Sequence, residues 1–176
     1  MGSSNSVLNE LNEDDIERYK RHISLQEIGV TGQTKLKKSS VLFIGAGGLG
    51  SSAILYASAA GIGKIGIIDN DQVEKSNLQR QVIHNIHELG KNKTDSAAKR
   101  ILELNPNCEV KVFTERLNIR NVIQTFKDFD IICDCSDNFG TRYLVNDACI
   151  ILSKPLIFGP VQGFEGHLSV FNLNKN

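Results

Sequence analysis

The chain has 176 residues, the size of one ordinary domain. Twenty basic residues balance twenty acidic ones, which speaks against a whole-molecule attraction to nucleic acid or to an anionic membrane. The 40% apolar share suffices for a core and excludes disorder as the dominant state, and no apolar run approaches the ~20 residues of a membrane-spanning helix. Residues 1–10 hold no apolar stretch of the secretory kind, so the expectation is a soluble, intracellular, single-domain protein. Met1-Gly2-Ser3-Ser4-Asn5-Ser6 fits the loose N-myristoylation pattern, but its Ser/Asn character is that of a frayed end. Residues 1–12 are read as a flexible N-terminus and 13–176 as the domain.

In chain order, Asn12 reads as the N-cap of a helix whose first turn is Glu13, Asp14 and Asp15. Ile16, Tyr19 and Ile23 share one face, and Gly29 and Gly32 end the segment. Residues 40–44 form a short apolar strand, followed at once by Gly45-Ala46-Gly47-Gly48-Leu49-Gly50 and a helix of small residues over 49–60. Residues 64–69 are the next strand, and a polar connection then runs to Lys93. A helix over 93–104 is stopped by Asn105-Pro106. A strand over 109–113, a helix over 119–126, a buried strand over 130–134 and a helix over 139–152 follow. Strands over 155–161 and 167–171 form a late antiparallel ribbon through Gly163 and Gly166. Strands alternating with helices predict an α/β fold: a Rossmann-like, doubly wound, mostly parallel sheet with an N-terminal helical segment.

The four cysteines do not read as disulfides in such a chain, and no C-x-x-C metal hook occurs. Cys133 and Cys135 alternate along a strand, share a face, and read as buried thiols. His84 and His87 stand at the spacing of a metal pair without further ligands, and read as surface residues.

Gly45, Gly47 and Gly50 make G-x-G-x-x-G between a strand and a helix, the context that gives this pattern its meaning. The first glycine permits the tight turn, the second lets backbone approach a phosphate, and the third lets the helix pack close to the sheet. The helix N-terminus adds free N–H groups and a partial positive charge. Asp69 ends the next strand, where an acidic side chain accepts ribose hydroxyls. A nucleotide site follows. A dinucleotide and ATP both remain open, since Arg80, Lys93 and Asp137 could serve the larger charge of ATP and a Mg²⁺ ion.

Arg18-Tyr19-x-Arg21, the glycine run, Asp69-x-Asp71, Ser76-Asn77-Leu78-Gln79-Arg80-Gln81, Gly90-x-x-Lys93, Asp134-x-x-Asp137-Asn138-x-x-x-Arg142 and Phe164-Glu165-Gly166 occur in that order. Together they resemble the MoeB/ThiF adenylyltransferases, relatives of the ubiquitin-activating enzymes, over nearly the whole chain. The resemblance is greatest to the molybdopterin-synthase adenylyltransferase branch. It implies adenylylation by ATP of the C-terminal Gly-Gly carboxylate of a small ubiquitin-like sulfur carrier (MoaD-like), with release of pyrophosphate, in molybdenum cofactor biosynthesis. The alternatives are the ThiS carrier of thiamine biosynthesis, or a non-catalytic nucleotide-binding half of a heterodimer.

By the same resemblance, Gly48 lies against the nucleotide, Asp69 binds its ribose, Asn77, Arg80 and Lys93 contact its phosphates, and the stretch Ser76, Asn77, Leu78, Gln79, Arg80 belongs to the nucleotide site. Asp137 holds Mg²⁺ with Asn138 beside it, and Arg21 reaches the phosphates in the neighbouring subunit, which implies a homodimer. The family's paired C-x-x-C zinc ligands have no counterpart here, so zinc is not expected in this chain. Either the sequence is short relative to an active enzyme or a partner supplies the remainder. Neither nucleic acid nor a membrane is an expected partner. The expected compartment is the cytoplasm or an organelle stroma, with the Ile- and Asn-rich usage suiting a plastid.

Overall fold

A computed structural model describes residues 10–173. Gly2, in the loose N-myristoylation pattern, lies outside them.

The first helix, α1 (Glu13–Ile23), is held at its start by a reciprocal cap. The Asp15 N–H donates to Asn12 Oδ1 (2.8 Å), and the Asn12 N–H donates to Asp15 Oδ2 (3.0 Å). Gly29 does not close the segment as expected; with φ +57° it turns the chain into a second helix, α2 (Gly29–Lys38). Tertiary bonds hold α2 where its own composition is poor for a helix. Gln33 is fully buried, donates from Nε2 to the Ala60 carbonyl (3.0 Å), and accepts from His22 Nδ1 (2.9 Å).

The sheet is built from β1 (Ser40–Ile44), β2 (Lys64–Ile68), β3 (Glu109–Phe113), β4 (Ile131–Asp134) and β5 (Leu156–Phe158). Two short strands, β6 (Val161–Gln162) and β7 (Glu165–Gly166), make a separate hairpin, and β8 (Ser169–Phe171) returns to pair antiparallel with β5. The strand order is β3-β2-β1-β4-β5-β8, with the first five parallel. Helices α3 (Gly48–Ala60), α4 (Lys93–Leu104), α5 (Val122–Lys127) and α6 (Phe139–Leu152) form the crossovers. The expected strand over 155–161 therefore splits at Gly159-Pro160, and its two parts join different sheets.

Alternation along β1 sends Val41 and Phe43 into one core layer, with Ile54, Ile65, Ile67 and Ile101. Leu42 and Ile44 enter the other, with Phe126, Phe129, Ile132 and Val145. A sheet buried on both faces needs near-continuous apolar strands, which the central β1, β2 and β4 are. Gly66 in β2 is a steric requirement: a Cβ there would lie 2.3 Å from the Phe129 ring. No helix among the described residues is long and apolar enough to cross a membrane.

Candidate functional site

The order of the sheet reverses between β1 and β4, so the loops at their carboxyl ends part and leave a crevice. A cavity of about 800 Å³ fills it. It is bordered by the glycine turn, Asp69 to Gln72, Asn77, Arg80, Gln81, Lys93, the segment after β3, Cys135 to Asn138, and Arg142.

The glycine turn is fixed by its own backbone. Gly45 sits at φ +97° and donates to the Ile68 carbonyl (2.9 Å). Gly50 lies so close to the turn that a Cβ would meet the Gly45 carbonyl oxygen at 2.1 Å. Gly48 opens α3, whose first N–H groups have no partner within the helix. A Cβ on Gly48 would stand 3.6 Å from the Arg80 stem, so the guanidinium lies over the same turn.

Asp69 is already at work before any ligand arrives. Its Oδ2 accepts from the Ala46 N–H and its Oδ1 from the Asp71 N–H, both at 2.8 Å. Each oxygen keeps one further acceptor direction. Lys93, at the first turn of α4, keeps only 7% of its side chain exposed and donates to Asp71 Oδ2 at 2.8 Å. An ammonium that buried beside a cavity, with one largely exposed carboxylate for company, is suited to an anion. Lys93 is thus no solvated surface cation. Arg80 is exposed and donates to the Ser76 carbonyl and to Gln79 Oε1.

Asp137 is exposed at the mouth of the cavity, and Asn138 caps α6 by accepting the Thr141 N–H (2.9 Å). Ser76, Leu78 and Gln79 do not border the cavity; their turn carries Asn77 and Arg80. Arg21 is exposed on α1 and does not border it either.

Four residues received no site role from sequence reasoning. Gln81 is buried against the cavity with its Oε1 unpartnered among the described residues. Arg142 packs between the Phe139 and Phe158 rings (5.5 and 5.7 Å), donates to the Ser136 carbonyl, and leaves Nε unpartnered. It makes no ion pair with a carboxylate among the described residues. Asp134 is buried with Oδ2 free, and burial pushes its carboxyl above the usual range. His84 is buried rather than exposed, because both ring nitrogens have partners inside. Gln81, Asp134 and Arg142 lie within the quoted motifs, which was the only signal available for them.

Cys133 and Cys135 sit with their sulfurs 3.8 Å apart as free thiols, Cys133 in the core and Cys135 bordering the cavity. Burial pushes Cys108 up to about 11 and Cys149 up to about 12, so both stay protonated.

The ThiF family model matches residues 19–176. The chain belongs to the ThiF family. This ThiF-family chain is 48% identical over 165 residues to the adenylyltransferase and sulfurtransferase MOCS3 of Drosophila persimilis, covering 94% of this chain and 37% of that protein. It is likewise 48% identical over 159 residues to the probable molybdopterin-synthase adenylyltransferase of Porphyra purpurea, covering 90% and 42%. It thus spans about two fifths of the length of these curated relatives. Among solved structures, it superposes on E. coli tRNA N6-threonylcarbamoyladenosine dehydratase, TcdA, in complex with ATP. That match has a TM-score of 0.81 and 26% identity, covering 86% of this chain and 63% of that one.

Proposed function

We propose that this chain forms the ATP site of an adenylyltransferase acting on the C-terminal glycine carboxylate of a small ubiquitin-like sulfur carrier in molybdenum cofactor biosynthesis. The observation that carries the reading is the nearly buried Lys93 ammonium, which borders one cavity together with Arg80, the glycine turn and Asp137. The adenylyltransferase names of relatives 48% identical to this chain support it, as does the ATP held by the similar TcdA fold.

The chemistry suits these residues. A carboxylate oxygen of the carrier attacks the α-phosphorus, a new P–O bond forms, and the bond to pyrophosphate breaks. Nucleophile and leaving group are both anions, so positioning and charge neutralisation account for most of the barrier reduction. No general base is needed, because a carboxyl terminus is already ionised at neutral pH. Gly48 admits the phosphate backbone, Lys93, Arg80 and Asn77 neutralise and orient it, and Asp69 offers its remaining lone pairs to the ribose. Buried polar atoms without partners, on Gln81, Ser136 and Arg142, line the same wall and accommodate a polar ligand.

Mg²⁺ is bound by one or two carboxylates plus substrate phosphates rather than by an all-protein cage. Asp137 fits that use; among the described residues no three Asp, Glu, His or Cys side chains gather into an all-protein cage. The ion would offset phosphate charge. Arg21, remote from its own cavity, would complete the site of a second copy in a homodimer.

The test is Mg-dependent ATP–pyrophosphate exchange by the purified chain, with a carrier of the molybdopterin or thiamine type ending in Gly-Gly. Carrier-dependent exchange is expected, and the preferred carrier assigns the pathway. ATP binding with no exchange and no adenylate would overturn the enzymatic reading in favour of a non-catalytic half.

A further inference from the structure

His84 lies in the polar connection between β2 and α4, and the function proposed above does not use it. It is buried, and its two nitrogens reach different elements. Nε2 stands 3.0 Å from the Ala46 carbonyl oxygen in the glycine turn, 38 residues away. Nδ1 stands 2.9 Å from Ser96 Oγ on α4. A carbonyl can only accept, so Nε2 carries the proton and Nδ1 accepts the Ser96 hydroxyl. The ring is neutral and its tautomer is set by its neighbours.

These bonds complete a circuit. Ala46 N–H donates to Asp69, whose other oxygen accepts from the Asp71 N–H. Asp71 holds the Lys93 ammonium and also accepts the Lys93 N–H at its carbonyl (2.9 Å). Lys93 and Ser96 are three residues apart on one face of α4, and Ser96 returns to His84. The glycine turn and the buried ammonium are thereby tied into one circuit, closed by hydrogen bonds and by the turn of α4 that joins Lys93 to Ser96.

The geometry points to His84 as a positioning residue that sets the glycine turn for its anionic ligand and locks it to the helix bearing Lys93. Both peptide units around Ala46 are clamped, one by Asp69 through its N–H and the next by His84 through its C=O. In a trans peptide the C=O and the following N–H point opposite ways. With the Ala46 carbonyl drawn into the interior by the imidazole, the Gly47 N–H is turned away from that ring, and Gly47 borders the cavity. Burial lowers the affinity of His84 for a second proton, with Lys93 acting in the same direction, so the ring keeps an acceptor for Ser96.

This inference rests on the nucleotide reading for its ligand but not for the clamp itself, and two measurements separate them. In the ligand-free protein, His84→Leu is expected to speed amide exchange across residues 45–50 at least tenfold, while exchange in β1 and β2 stays as in the wild type. In ATP titrations the same variant is expected to bind at least tenfold more weakly, with the KM for carrier unchanged. His84→Gln, whose amide can donate to the Ala46 carbonyl, is expected to recover most of both losses. Ser96→Ala removes only the second anchor and is expected to give a smaller loss of about threefold in ATP affinity. Should His84→Leu prove insoluble, Ser96→Ala carries the test. Unchanged exchange and ATP affinity in Ser96→Ala, and in His84→Leu where it folds, would overturn the positioning role. Faster exchange in the variants of a chain whose wild type binds no ATP would uphold the clamp and overturn the nucleotide reading.

Discussion

Gly48 and Gly50 of the glycine turn differ in what a methyl group would meet, and that difference separates folding from ligand binding. At Gly50 an added Cβ would lie 2.1 Å from the Gly45 carbonyl oxygen, about 1.3 Å short of ordinary contact, and the obstacle is backbone. The turn must shift by about an ångström, at an overpacking cost of about 1–3 kcal/mol. For a chain of this length that lowers the melting midpoint by about 2–12 °C. A displacement of that size in a positioned catalytic group costs roughly a hundredfold in rate. Gly50→Ala is therefore expected to lose both stability and carrier-dependent exchange. At Gly48 the new methyl would sit 3.6 Å from the movable Arg80 stem, at a helical position that favours Ala over Gly. Gly48→Ala is expected to melt at or slightly above the wild-type temperature, yet to bind ATP at least about tenfold more weakly, a change of about 1.4 kcal/mol, because the methyl occupies the phosphate's approach. Differential scanning fluorimetry and ATP titration on the same samples read both effects. A Gly50→Ala chain that melts with the wild type, or a Gly48→Ala chain that binds ATP undiminished, would refute the reasoning.

Lys93→Met keeps the buried aliphatic stem and leaves Asp71, which is 61% exposed, to water. Its melting point should move by no more than ~2 °C, while loss of a charge-assisted contact of about 1.5–3 kcal/mol should cut ATP affinity roughly 10- to 150-fold by titration calorimetry. Acid should destabilise the chain through His84. Its folded pKa lies below the ordinary 6.5, so between those values the unfolded chain binds a proton that the native state refuses. Urea midpoints should fall as pH drops below 6.5, and the His84→Gln chain should lose that part of the slope. Arg21→Ala and Asp137→Ala should each be inactive alone; mixed and re-equilibrated in equal amounts, they should regain about a quarter of wild-type exchange, because half the dimers carry one intact composite site. No recovery would place Arg21 in its own subunit's site or outside the reaction.

The strands were legible because burial on both faces of a parallel sheet demands apolar runs, and residues 41–44, 65–68 and 131–133 supply them. The glycine turn was legible from its strand-to-helix context. Helix α2 was not, since Gly29-Val30-Thr31-Gly32 is a poor helical opening and its support comes from Ala60 and His22. The ring around His84 was hidden for the same reason. His84 and His87 look alike in a polar stretch, and only a contact with a carbonyl 38 residues away separates them. Lys93 was visible as a candidate cation but its burial was not, because the connection that folds over it, from Asp71 onward, has no periodicity to read.

The close approach of Gly66 to Phe129 has a consequence for how this sequence can change over time. A methyl at 66 would collide with the Phe129 ring at 2.3 Å and with Leu42 at 2.7 Å, while Lys64 rests 5.3 Å above the centre of that same ring. The two positions are therefore not independent variables. Phe129→Leu shortens the reach of the ring and opens space that an alanine at 66 can partly refill, so the pair should cost less together than the sum of its single changes, by about 0.5–3 kcal/mol. Order then matters for drift: shrinkage at 129 opens a route to alanine at 66, whereas alanine first meets a wall on both sides.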